Sequence, residues 1–225
     1  MKLNLFVAII IFSVFCLKIH AQENSNHSLQ LKIEPFEFNY SFPRLGIGFE
    51  QKWRQNSVWS MIHHGWDGIA TTHIKRYFEE GYQYWSFEAG IKKLYPHPAG
   101  LFFIGARLGY DKTSANVSDD VFYDIKSNRA ILYDQAGYRR TRFNIFSEIG
   151  QEFFFGKVAL EYYGGFGLRR MENFYANINN PFVLNDVEPL VYRKRTQHKY
   201  AGTGWKPAFI IGIKIGYTIS GSSTY

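Results

Sequence analysis

Cysteine is nearly missing from this chain. Cys16 is the sole cysteine in 225 residues, so no disulfide framework and no thiolate metal site can form. Long apolar runs are also scarce. Beyond the amino end no stretch approaches the ~18 apolar residues of a membrane-spanning helix, so a membrane-integral chain would have to cross with strands closed into a barrel. Charge of one sign is not in excess either: 26 Lys and Arg face 19 Asp and Glu, a net +7, too modest for a nucleic-acid partner. Gly-x-Gly pairs such as Gly46-Ile-Gly48 open no helix, which removes the dinucleotide fingerprint, and no cofactor is expected. The chain has no internal repeat and no low-complexity tract. Aromatic residues, at 19%, and 20 glycines are what it has in quantity.

Met1 and Lys2 lead into an apolar run from Leu5 to Leu17, and the small residue Ala21 precedes Gln22. That layout is a secretory signal peptide, residues 1–21, cleaved after Ala21. A lipoprotein reading would lipidate Cys16, but Phe15 stands where processing wants a small side chain. Cleavage removes Lys2, Lys18 and Cys16, leaving residues 22–225 as a single cysteine-free domain with a net charge of +7 − 2 = +5.

The closing stretch carries the clearest pattern. From Trp205 to Ile219 the odd positions are Trp205, Pro207, Phe209, Ile211, Ile213, Ile215, Tyr217 and Ile219, while the even ones are small, polar or cationic apart from Ile210. Period-two alternation over some fifteen residues predicts a strand longer than the ~5–6 residues usual in a sheet and long enough to cross a bilayer at a tilt. Similar alternation predicts strands from Leu29, over 44–53, 57–66, 82–95, 100–111, 139–154 and 157–171. The first changes parity at Pro35, as a β-bulge would require. The 57–66 strand alternates poorly, and its facing stays open.

Eight strands alternate with short turns at 54–56, 96–99 and 155–156 and with long connections at 67–81, 112–138 and 172–203; Ser41-Phe-Pro43 is a short exception. An up-and-down barrel with tight periplasmic turns and long outer loops has this rhythm. The expected fold is all-β, an eight-stranded antiparallel up-and-down transmembrane β-barrel, with both termini periplasmic and the last strand pairing with the first.

Parity sends inward Lys32, Glu34, Glu37, Glu50, Lys52, Glu88, Lys92, Arg107, Arg142, Glu148, Glu152, Glu161, Arg169, Lys206 and Lys214. Seven acids against eight bases, in an interior only wide enough for side chains, predict an interlocked ion-pair network that closes the lumen. A hydrolytic site would draw on Ser60, His63, His64, Asp67 and His73, but adjacent histidines on a strand point to opposite faces, so at most one joins any site. No three convergent metal ligands stand out. At the long-loop end Arg139, Arg140, Arg170, Arg193, Lys194, Arg195 and Lys199 are placed to pair with lipopolysaccharide phosphates, or else are solvated rim charge.

The run Phe87 to Tyr95, the proline-rich turn, Gly100 to Tyr110 and the Pro207 to Ile219 segment resemble small outer-membrane β-barrel proteins of Bacteroidota, related to the outer-membrane protein A and X barrels. The resemblance implies a Gram-negative outer-membrane location and insertion by the outer-membrane assembly machinery, with Gly216, Tyr217 and Ile219 as the assembly signal. It implies no agreed activity. Only Gly221 to Tyr225 follow the last strand, so no peptidoglycan-binding role is expected. The leading expectation is a non-enzymatic structural or interaction component that contacts lipopolysaccharide, a partner protein or a host surface. A lipopolysaccharide-modifying enzyme and a soluble periplasmic ligand-binding barrel are the alternatives.

Overall fold

The computed structural model describes residues 27–37, 44–66, 80–184 and 200–221; of Phe36, Glu37 and Glu80 only the backbone is described. The signal-peptide reading of residues 1–21 lies outside them. The described residues are all-β, without a helix: β1 (His27–Glu37), β2 (Leu45–Trp53), β3 (Asn56–Trp66), β4 (Glu80–His97), β5 (Gly100–Asp124), β6 (Arg129–Phe155), β7 (Val158–Asn179), β8 (Phe182–Leu184) and β9 (Tyr200–Ser220).

Eight of these strands close a ring. Each of β1 to β7 pairs antiparallel with its sequence neighbour, β7 pairs with β9, and β9 pairs with β1. Closure leaves no open edge along the ring. In the β1–β9 ladder Ile33 pairs with Ile215 and Phe36 with Ile213, so three residues of β1 advance against two of β9. The extra residue is the bulge at Pro35 that the parity change predicts, and it keeps both flanking segments in phase with the ring.

Within the ring the strand facings follow from alternation, which breaks toward the β5–β6 tip, where adjacent Phe122 and Tyr123 are both buried. In β3, the strand with poor sequence alternation, odd positions point inward: Ser57, Trp59, Met61 and His63 are buried, whereas Val58 is exposed. Its pattern was hard to read because Trp59 and Met61, apolar residues, fill the interior beside charged groups.

Three connections differ from expectation. Pro96 and His97 remain in the ladder, paired with Leu101 and Gly100. The ladder tolerates Pro96 because β4 has already left β3, its last partner there being Asn56 opposite Lys93, so this side of the strand needs no donor. The stretch 112–138 is no loop: β5 and β6 continue as one hairpin to a four-residue turn at 125–128, paired through Asp124 and Arg129. Asp, Asn and Ser in that stretch read as loop chemistry, yet Ala115, Val117, Phe122, Tyr133 and Tyr138 stand among them and are buried. In the third, β7 runs on to Asn179, and the three-residue β8 pairs with Ala130–Leu132 of β6.

The hairpin tip bends across one mouth of the ring. Tyr123 and Asp124 run parallel to Tyr200 and Ala201 of β9, a strand that is not a neighbour of β5 in the ring, and Ile125 N donates to Ala201 O at 3.1 Å. Gly202 (φ 127°) lies beneath Ile125 with no side chain to hold the tip away. Under the tip an aromatic cluster joins four strands: Phe122 stacks on Tyr175 with centroids 4.1 Å apart, beside Tyr82, Tyr84, Tyr133 and Tyr138. Burial raises the Tyr133 phenol, with Asp120 adding to it, and burial likewise raises Tyr175 well above its ordinary value. An unfolded tyrosine ionises near pH ~10, so these phenols stabilise the packed tip fully below that pH and lose the contribution as pH rises toward their higher folded values. Near-ultraviolet dichroism of the aromatic cluster should therefore collapse above about pH 10 together with late tyrosinate absorbance. Ordinary titration of all tyrosines with unchanged dichroism would contradict the packing.

Candidate functional site

The distribution of side chains across the wall is inverted relative to a water-soluble protein. Thirteen of the fifteen charges sent inward by parity are buried, among them Lys52 and Glu161, both fully. Of the other two, the Glu37 side chain lies outside the description, although its backbone pairs with inward Gly212, and Lys206 is half-buried near the mouth, 6.0 Å over the Tyr200 ring. Outside, the large apolar residues are exposed, including Phe209 at 67% and Ile211 at 61%. A soluble monomer seldom exposes a contiguous apolar surface of this extent.

Near the short-turn end the interior centres on Lys32 of β1. Its Nζ lies 2.9 Å from Glu50, 2.7 Å from Glu152 and 2.9 Å from Glu161. Glu152 and Glu161 are direct cross-strand partners on β6 and β7, an unfavourable like-charge pair that Lys32 neutralises from across the ring. Lys92 adds contacts to Glu50 at 3.2 Å and Glu161 at 2.8 Å, Lys52 pairs with Glu152, and Lys214 lies 3.6 Å from Glu161. The carboxylates of Glu50, Glu152 and Glu161 lie close enough together to ligate a metal. The Lys32 ammonium already occupies the position of the cation. Trp59 and Tyr163 cover buried Lys214, whose Nζ is 3.8 Å and 4.5 Å from their ring centroids, as cation–π contacts. Glu148 is buried here too, with neither carboxylate oxygen hydrogen-bonded among the described residues.

Farther along the ring, Arg44 bridges Glu34 at 3.2 Å and Glu88 at 3.0 Å and donates to Tyr84 Oη at 2.6 Å, while Arg107 also pairs with Glu88. The next layer holds Arg142, whose Nε donates to Asp111 Oδ1 at 2.6 Å, and Arg169, whose Nε donates to Asn144 Oδ1 at 2.7 Å. Arg44, Asp111 and Arg140 are members that the sequence did not yield, because each sits where parity was hidden by a strand end or a presumed loop.

The hydrolytic candidates do not assemble. Ser60 and His63 lie on opposite faces of β3, His64 points outward against Trp85 at 4.0 Å, and Asp67 and His73 lie outside the described residues. His63 instead meets Ser86 Oγ at 2.9 Å and Glu34 Oε1 at 3.3 Å. These are the residue types of a nucleophile relay, but Arg44 Nη1 lies 3.4 Å from Ser86 and His63 is fully buried, so the array belongs to the ion network.

Arg140 is a correction among the lipopolysaccharide candidates: at 4% exposure it points into the ring, 3.5 Å from Thr113 Oγ1, because even positions of β6 face inward from Ala136 to Glu152. Arg139 and Arg170 are exposed on the outer wall. Arg170 sits between its cross-strand partners Phe143 and Trp205, at the edge of the apolar surface. Arg193, Lys194, Arg195 and Lys199 lie outside the described residues.

Comparison of the chain with protein-family models, with characterised proteins and with solved structures gives no match.

Proposed function

We propose that this chain is an outer-membrane β-barrel: eight strands in up-and-down order, a lumen closed by ion pairs, and a non-enzymatic structural or interaction role at the long-loop end. The observation that carries the reading is the inversion itself, buried charge inside and exposed apolar side chains outside. A lipid surround makes both favourable, since it would cover the apolar wall while the closed ring pairs the described strand backbones internally. Exposed Arg170 beside Trp205 and Phe143 fits a lipid headgroup boundary, where guanidinium pairs with phosphate and aromatic rings settle at the interface. Both chain ends then lie on the periplasmic side with the short turns, and β9, ending at Ser220, is the strand the assembly machinery would engage.

Two measurements test this. Folded protein in detergent should migrate differently before and after boiling and should partition with membranes; migration unchanged by boiling and partition to water would favour a soluble ligand-binding barrel. In planar bilayers the folded protein should carry no steady current. Ohmic conductance would refute the closed lumen, and altered lipid A in cells lacking the gene would favour the enzymatic alternative.

A further inference from the structure

Beyond the apolar wall, the outer face of the β5–β6–β7 extension holds a groove of about 520 Å³ lined by Asn116, Gln135, Gly137, Asn177 and Asn179, together with Val117 and Ala136. A second concavity of about 440 Å³ adjoins it, sharing Gln135 and Asn179 and adding Ser118, Asp119, Asp134 and Asn180. The lining is unusual in chemistry. Five carboxamides, two carboxylates and a hydroxyl converge with no cation among them.

Each carboxamide presents an acceptor oxygen and a two-hydrogen donor, the set that matches neighbouring hydroxyl groups on a sugar ring. Ser118 Oγ, shielded from solvent, has no hydrogen-bond partner among the described residues. Asp134 is held by Asn180 Nδ2 at 2.6 Å, so one wall is already oriented. The backbone is shaped around the same place: β7 carries a bulge where Gln135 pairs with Asn179 but Gly137 with Ala176, and Asn177 in that bulge has φ 51°. Asp119 (φ 47°) and Asn180 (φ 49°) also lie in the left-handed region that Asn and Asp tolerate best.

The floor is Gly137. A Cβ added there would meet only Ala176 O, at 3.5 Å, an ordinary contact, so the backbone does not require glycine and a side chain would simply fill the groove. Phe174, 57% exposed and two residues from Ala176, offers an apolar face beside it.

We infer that this groove binds an uncharged saccharide through its vicinal hydroxyls. Phosphate and other anions are disfavoured by Asp119 and Asp134, and an apolar ligand by the amides. The inference deepens the interaction role proposed above and rests on it for the source of the sugar, not for the groove.

The test uses the full chain folded in detergent and two neutral probes, maltohexaose and a lipopolysaccharide oligosaccharide freed of lipid, phosphate and its acidic inner-core sugars, followed by calorimetric titration. Saturable binding of at least one probe is expected. Binding of the lipopolysaccharide oligosaccharide alone assigns the groove to the cell's own surface; binding of maltohexaose assigns it to free glycans. Gly137→Leu should weaken the bound probe at least tenfold, and Gln135→Ala, an exposed truncation that leaves the ladder intact, should weaken it severalfold. No saturation by either probe, or unchanged affinity in a folded Gly137→Leu protein, would overturn the inference. A protein that binds sugar but shows no boiling-dependent shift would instead refute the barrel in the membrane while leaving the groove.

Discussion

Ile211→Arg is expected to destabilise the protein by about 2–4 kcal/mol in a lipid bilayer, because an exposed wall residue near the middle of β9 would place a cation in hydrocarbon. Ile211 is 61% exposed and its partner on β7 is Gly164, so the ring itself has room for the longer side chain. In water the same substitution would fall within the ~0.5 kcal/mol scatter of surface changes. Urea unfolding in vesicles, compared with Phe174→Arg beyond the apolar wall, measures the difference. A membrane wall predicts a large loss for Ile211→Arg and little for Phe174→Arg. Equal, small effects at both positions would mean that no lipid touches this surface.

Lys32→Met should be the most damaging interior change. The side chains are similar in length, so the substitution mainly removes the charge that three buried carboxylates share. Glu152 and Glu161 then face each other across the β6–β7 ladder with their repulsion unrelieved from β1. Removing one partner of a buried ion pair costs about 3–5 kcal/mol, since the remaining charge is left uncompensated. Adding Glu161→Gln to Lys32→Met should recover part of that loss, because it removes one of the stranded acids; a double-mutant cycle reads the coupling. A loss below about 1 kcal/mol in Lys32→Met would mean that water reaches these groups, which would defeat the closed-lumen reading.

Lys32 also illustrates why its partners were not legible in sequence. Alternation assigned it to the interior along with Glu50, Glu152 and Glu161, but 120 residues separate it from Glu152. Which inward charges meet depends on how the strands are staggered around the closed ring. Arg140 shows the complementary failure. Its neighbours Arg139 and Arg142 are equally basic, and reading 112–138 as a loop left the phase of β6 short, so rim and interior were confused at this one position. Ser86 shares the inward parity of Glu88 and Lys92, whereas its partner His63 has no legible facing in sequence because Trp59 and Met61 blur the polarity of β3. The amide-lined groove has no sequence signal: Asn116, Gln135 and Asn177 lie on three strands, and all three positions fall in the stretches 112–138 and 172–203 expected as loops.

The sequence by itself determined the existence and order of the eight ring strands, the facing of seven of them, the bulge at Pro35 and the pairing of the last strand with the first. These follow from period-two alternation, which is local and survives in one dimension. Tertiary structure alone decided the reach of the β5–β6 hairpin over the mouth, the inward face of β3, the ion partners and the amide-lined groove. Each of those depends on which strands lie beside or across from one another, and that is set by register and closure of the ring, relations between residues far apart in the chain.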